Sequence, residues 1–216
     1  MSEYIYDIKE LDLSKRYSYA DYLLWRFKER VELFKGKVFE MSPEPSTSHQ
    51  RTSMKIYDLL KAFYQNHDCE LFVAPFDVEL FSKNDTKSSV VQSDLCVICD
   101  PNKIDERGCH GAPDLVVEIL SKGNSRKEIQ HKYDLYEEAS GREYWIVDYM
   151  RRTVLIQVLN KKGVFQSQRL LAEGDRVTSF IFPEFSCPVE DIFKGVTDSL
   201  NELGTEYAIS HSTNRL

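Results

Sequence analysis

The stretch Asp114-Leu115-Val116-Val117-Glu118-Ile119-Leu120 decides how this sequence is read. Five of its seven residues are branched aliphatics, which predicts a buried strand. Side chains alternate along a strand, so Asp114, Val116, Glu118 and Leu120 share one face. A carboxylate set among Leu, Val and Ile costs several kcal/mol unless it is paired or binds a cation. Taken alone, Glu118 is most simply a glutamate at a sheet edge.

Working upstream, Val90 to Ile98 predicts a second extended segment, with Asp94, Cys96 and Ile98 on one face. A polar loop carrying Asp100-Pro101 and Arg107-Gly108 joins the two segments, so they are expected to pair antiparallel. That pairing brings Asp94 beside Glu118, and two converging carboxylates point to a metal site. Leu71 to Phe81 is a third extended segment, and the three together read as a meander.

Working downstream, Ser125-Arg-Lys-Glu128 has the form of a capping box and opens a helix to about Ala139, stopped near Gly141. Its inward stripe of Ile129, Tyr133, Tyr136 and Ala139 includes Lys132. A lone lysine there would rest its stem on the core and leave its ammonium in water. Beside two carboxylates it gains a partner.

The remaining elements are lighter. Ser18 to Lys28 has Tyr19, Tyr22, Leu23 and Phe27 at helical spacing, and Arg30 to Met41 reads as a hairpin turning at Lys35-Gly36. His49 to Asn66 is a second amphipathic helix through Ile56, Leu59, Leu60 and Phe63. Strands follow at Tyr144 to Val147, Thr153 to Leu159 and within Val164 to Phe182. The expected class is α/β, an α+β mixed sheet with helices, in a single domain over residues 1–216 with a mobile tail from about 198.

The chain has 216 residues and is 42% hydrophobic, enough for one substantial core. It lacks the roughly 18 consecutive apolar residues of a membrane span. Cytoplasmic location and no membrane partner are the expectations. Five cysteines, an odd number in a chain large enough to need no staples, predict reduced thiols and no disulfide. A net charge of −7 argues against coating nucleic acid by bulk electrostatics, though a local basic strip can still hold phosphates.

Asp94, Asp114 and Glu118, the helix with Lys132, and Glu143-Tyr-Trp-Ile-Val-Asp148 resemble the Uma2 family, also known as DUF820, of the PD-(D/E)XK nuclease superfamily. The similarity runs from Val31-Glu-Leu-Phe-Lys-Gly-Lys-Val-Phe-Glu-Met-Ser-Pro43 through Gly108-Cys-His-Gly-Ala-Pro-Asp114 to Phe182-Pro183. It implies a restriction-endonuclease-like core, a central mixed sheet flanked by helices, here with an added N-terminal helix and hairpin. It also implies hydrolysis of DNA phosphodiesters by water activated at Mg²⁺, with Mn²⁺ as a substitute and Asp94 and Glu118 as metal ligands.

Two departures from the superfamily pattern stand out. Ser93 replaces the proline before Asp94, and Leu120 replaces the lysine expected two residues after Glu118. Lys132 on the following helix is the candidate for the displaced lysine, with Lys122 as the second. Asp114 lies roughly 13 Å from Glu118 along an extended strand, too far to share an ion, and is assigned a supporting role. His49 is either a general base or a solvent-facing histidine at a helix end, the latter favoured. Two-strand cleavage suggests a homodimer.

Two other readings compete with this one. Cys96-x-x-Cys99 with Cys109-His110 has zinc-like elements, but Cys96 and Cys99 should face opposite sides of a strand. Leu120 and the net acidity leave open a catalytically silent module that keeps the fold for binding protein or nucleic acid.

Overall fold

The computed structural model describes residues 4–41, 45–82, 87–121 and 126–196. In chain order its elements are α1 (Tyr19–Tyr22), β1 (Val31–Phe34), β2 (Lys37–Glu40), α2 (Thr47–Tyr64), β3 (Glu70–Val73), β4 (Asp77–Leu80), β5 (Ser89–Gln92), β6 (Leu95–Ile98), β7 (Ile104–Asp105), β8 (Gly108–His110), β9 (Leu115–Ile119), α3 (Arg126–Glu138), β10 (Glu143–Asp148), β11 (Thr153–Leu159), β12 (Phe165–Ser167), β13 (Arg176–Thr178), β14 (Ser186–Pro188) and α4 (Val189–Ile192).

Among the described residues these strands form two six-stranded sheets, ordered β2-β1-β5-β4-β8-β7 and β12-β11-β10-β9-β6-β3, and a β13-β14 pair. Both large sheets are mixed. The second holds one parallel pair, β9 beside β10, joined through α3 as a parallel crossover requires. As expected, β6 and β9 are antiparallel, with Leu95 opposite Val117.

The sequence reading expects one extended sheet; the chain instead passes between two. Val90 to Ile98 is interrupted at Ser93-Asp94, so β5 belongs to the first sheet and β6 to the second. Leu71 to Phe81 is likewise divided between β3 and β4, at a cis Ala74-Pro75 bond. Ala74 N donates to Asp94 O at 3.0 Å, tying the two breaks into one corner. A proline cannot donate to a ladder, which is why the long segment cannot stay in one sheet.

Alternation then decides what covers the second sheet. Leu95, Val97, Leu115, Val117 and Ile119 face α2 and pack with Ile56 and Leu60. Cys96, Ile98 and Val116 face the other way and pack with Leu135 and Tyr136 of α3 and with Tyr144. Helix α2 is capped by Ser46, whose Oγ accepts from His49 N at 3.2 Å.

The hairpin expected at Lys35-Gly36 is present, with positive φ at both residues (51° and 80°) and Leu33 opposite Val38. The helix expected over Ser18 to Lys28 is one turn only. Its start has the Ser18/Asp21 capping box, but Ile5 N bonds Leu24 O and Arg26 N bonds Ile5 O. Pairing with the N-terminal segment thus takes backbone groups that a longer helix would have used.

The expectation of no disulfide is also overturned, because Cys69 and Cys99 are bonded. Glu70 pairs with Ile98 in the antiparallel β3–β6 ladder, and the next position outward sets these two cysteines face to face with Cα atoms 4.0 Å apart. Ser125, the expected cap of α3, and the tail from 198 lie outside the described residues. No helix among those described is long and apolar enough to cross a membrane.

Candidate active site

The corner where the chain leaves the first sheet for the second gathers the charged groups. Asp94 precedes β6 at this corner, and its Oδ2 accepts from Ile119 N at 2.7 Å. Glu118, one residue earlier on β9, is thereby its neighbour, as the antiparallel register requires. The two carboxylates predicted from alternation do converge.

Lys132 enters from α3. Its side chain is buried, with 6% of the residue exposed. The ammonium donates to Gln92 O at 2.8 Å, and lies 3.1 Å from Glu32 Oε1 and 3.2 and 3.3 Å from the two Glu118 oxygens. An ammonium has three donors, and here each has an acceptor group. Burial opposes its charge, but Glu118, Glu32 and Asp94 together hold it protonated, its pKa raised above the ordinary lysine value.

Glu32 is absent from the sequence reading. It sits on β1 with 2% exposure, and its Oε1 also accepts from Gln92 N at 2.8 Å. A signal was available: Glu32 shares a strand face with Phe34, a large apolar residue, and Phe34 packs against α3 in the core. A charge beside Phe34 on that face needs a partner. Gln92 was also missed, because its contribution to Lys132 and Glu32 is through backbone atoms and leaves no mark in the sequence.

Three carboxylates around one ammonium leave a formal charge of −2. The strain shows on Glu118, whose pKa burial pushes up to about 8, with Asp94 and Glu32 adding to the rise and Lys132 opposing it. This excess of negative charge and the purely oxygen donor set of Asp94 and Glu118, with the Ile119 carbonyl at hand, fit a hard divalent cation. Among the described residues no three His, Cys, Asp or Glu side chains are placed to hold a metal ion. Two carboxylates with retained waters suit magnesium and not zinc.

The sequence reading favoured a solvent-facing His49, and the structure corrects it. Only 6% of His49 is exposed, and Nε2 lies 3.1 Å from Ile119 O and 3.4 Å from Asp94 Oδ1. Ser46 places it by capping α2 just ahead of it. Nδ1 is buried without a hydrogen-bond partner, which suits the tautomer that carries its proton on Nε2.

Asp114 stands apart from this group. Its Oδ2 accepts from Cys99 N at 2.9 Å and its Oδ1 from Arg142 at 2.9 Å, so it fastens the start of β9 to the end of β6 and the start of β10. Lys122 lies outside the described residues. The zinc reading fails in detail: Cys99 is in the disulfide, Cys96 is buried with its thiol pushed up to about 12, and His110 is held between Glu79 at 2.9 Å and Asp105 at 3.2 Å.

A cleft of about 470 Å³ opens over Asp94, Glu118, Lys132 and His49, with Arg30 and Glu128 on its walls. The model of the Uma2 family, described as "Putative restriction endonuclease", matches residues 19–190 of this sequence. The chain belongs to the Uma2 family. A crystal structure described as a "putative nuclease belonging to DUF820", from Anabaena variabilis, has a TM-score of 0.67 to this chain at 16% identity. The match covers 83% of this chain and 99% of that one. It shows that this Uma2 chain has the fold of that protein, a mixed α/β fold. No curated protein matches the sequence.

Proposed function

We propose that this Uma2 protein is a Mg²⁺-dependent endonuclease that hydrolyses DNA phosphodiesters through Asp94, Glu118 and Lys132. The observation that supports it best is the Lys132 ammonium lying 3.2 Å from Glu118, because it puts a cation where Leu120 leaves the strand without one. Asp94 and Glu118 would hold Mg²⁺, which when bound supplies an activated water and charge neutralisation at the phosphoryl group. Mn²⁺ would take the same oxygen ligands.

The chain's own groups do the rest. Lys132, fixed by Gln92 O and Glu32, presents its charge at the cleft floor before substrate arrives, so no reorganisation is needed as negative charge develops on the phosphate. Glu32 keeps that ammonium charged and in place. His49, bonded to the Ile119 carbonyl and close to Asp94, orients both and acts here as a positioning residue. One site per chain cuts one strand, so cutting a duplex would call for two copies of this chain.

The test is incubation of supercoiled plasmid, single-stranded DNA and RNA with the purified chain in Mg²⁺, Mn²⁺ or chelator. Nicking that requires metal and is lost in Glu118→Gln is expected. Inactivity on every substrate with Mn²⁺ present would replace this reading with a silent binding module.

A further inference from the structure

Beside the cleft lies a second, larger cavity of about 750 Å³, and the two share Arg30 and Gln92 as a common wall. Gln92 is bonded into both sides. Its carbonyl accepts from Lys132 at 2.8 Å, while its side-chain oxygen accepts from Arg30 at 2.7 Å and its side-chain nitrogen donates to Asp77 at 2.7 Å. The floor of one cavity is therefore connected to the wall of the other through a single residue.

The lining of the second cavity is basic on balance. Arg26, Arg30 and Arg107 outnumber Glu29 and Asp77, in a chain whose net charge is −7. The Asp77 carboxylate is turned to Tyr22 Oη, at 3.2 Å, as well as to Gln92. Arg107 owes its place to Gly108: a Cβ there would lie 2.2 Å from the Asp77 carbonyl, so only glycine lets this turn close on β4. At the rim the Arg26 guanidinium stacks over the Tyr4 ring at 4.3 Å, and Tyr4 is half exposed.

Arginines that track a backbone and exposed aromatic faces that accept bases are what a single nucleic-acid strand requires. We propose that this cavity, across the Arg30 and Gln92 wall from the cleft, is a channel for a single-stranded segment of nucleic acid on one side of the scissile phosphate. Arg30 and Arg107 take backbone phosphates, and the Tyr4 ring, backed by Arg26, takes an unpaired base. The proposal rests on the nuclease reading and adds to it the strandedness of the substrate beside the cut.

The test measures binding and cleavage separately. Anisotropy of a fluorescein-labelled single strand of about 12 nucleotides is followed against salt, with the full chain in chelator so that nothing is cut. Arg107→Ala should weaken binding about five- to tenfold and lower the salt slope by about 0.7, the value for one phosphate contact on a single strand. Tyr4→Ala should weaken binding with the slope unchanged, and Lys161→Ala, on an exposed turn, should change neither. If the wild type nicks DNA with Mn²⁺ while Arg107→Ala and Tyr4→Ala bind as the wild type does, the channel is wrong and the nuclease reading stands. If the wild type neither binds nor cuts, both fall.

Discussion

Lys132 on α3 and Glu32 on β1, 100 positions apart in sequence, meet with Nζ 3.1 Å from Oε1 at the corner between the two sheets. The contact joins the hairpin of the first sheet to the helix that covers the second. Together Glu118, Glu32 and Asp94 keep the ammonium charged, so a residue of the first sheet helps balance the carboxylates gathered at the corner.

Glu32→Gln keeps the shape and the bond from Gln92 N but removes one of three carboxylates. Lys132 retains Glu118, so the fold should lose only about 1 kcal/mol. The ammonium is then drawn to Glu118 alone and competes more directly with metal there. Cleavage should fall about tenfold or more, with metal affinity reduced, as titration calorimetry with Mn²⁺ would show. Cleavage and Mn²⁺ binding both at wild-type levels would make Glu32 purely structural.

Glu118→Gln should abolish metal binding and cleavage while leaving the metal-free fold intact. The folded carboxyl is pushed up to about 8 from an ordinary value of 4.5, and the sign follows from that. As pH rises from 4.5 to 8 the unfolded chain releases this proton and the folded chain keeps it, so wild-type stability without metal falls through that window. The variant lacks this loss. Above pH 8 it should be the more stable protein, by up to a few kcal/mol on linkage alone. Denaturant melts at pH 5 and pH 8.5 check this, and equal pH dependence in both proteins would contradict it.

A second pH effect sits away from the cleft. The bond to Glu79 is the main cause that raises His110, with Asp105 adding to it and burial opposing. A raised histidine stabilises the fold fully below its unfolded value of about 6.5, and that contribution is lost as pH rises through the folded value. His110→Gln should therefore be less stable than wild type at pH 6 and differ less at pH 9. The effect is modest, because the side chain is partly exposed. Thermal melts across that range would expose a wrong sign directly.

How much of this was legible in the sequence depends on range. Asp94 opposite Glu118 was readable because strand alternation and an antiparallel link fix register, and Lys132 because the spacing of Tyr133 and Tyr136 fixes a helix face. The Lys35-Gly36 turn announced itself through its residues. What escaped depended on partners far along the chain. Glu32 looks like an ordinary hairpin glutamate until α3 is placed over it, and Cys69 and Cys99 look unrelated until the β3–β6 register aligns them. The short α1 was misread because helical spacing in Tyr19, Tyr22 and Leu23 could not reveal competition from Ile5.

The role of Lys132 gives the most demanding prediction. Leu120 lies on the same strand face as Glu118 by alternation and carries no charge, and Lys132 brings its ammonium to Glu118 from the helix. Lys132→Ala should lower the cleavage rate by two to three orders of magnitude, on the scale of losing one preorganised charge-stabilising group. It also leaves Asp94, Glu118 and Glu32 without their cation, so the metal-free fold should lose about 3–5 kcal/mol. Added Mn²⁺ should restore much of that stability, and Mn²⁺ should bind at least as tightly as to wild type, which separates a lost catalytic charge from a lost ligand. Leu120→Lys combined with Lys132→Ala should recover part of the rate by returning the charge to the strand. If Lys132→Ala cleaves normally and Lys122→Ala is inactive, the catalytic ammonium is that of Lys122 and Lys132 serves only to balance the buried carboxylates.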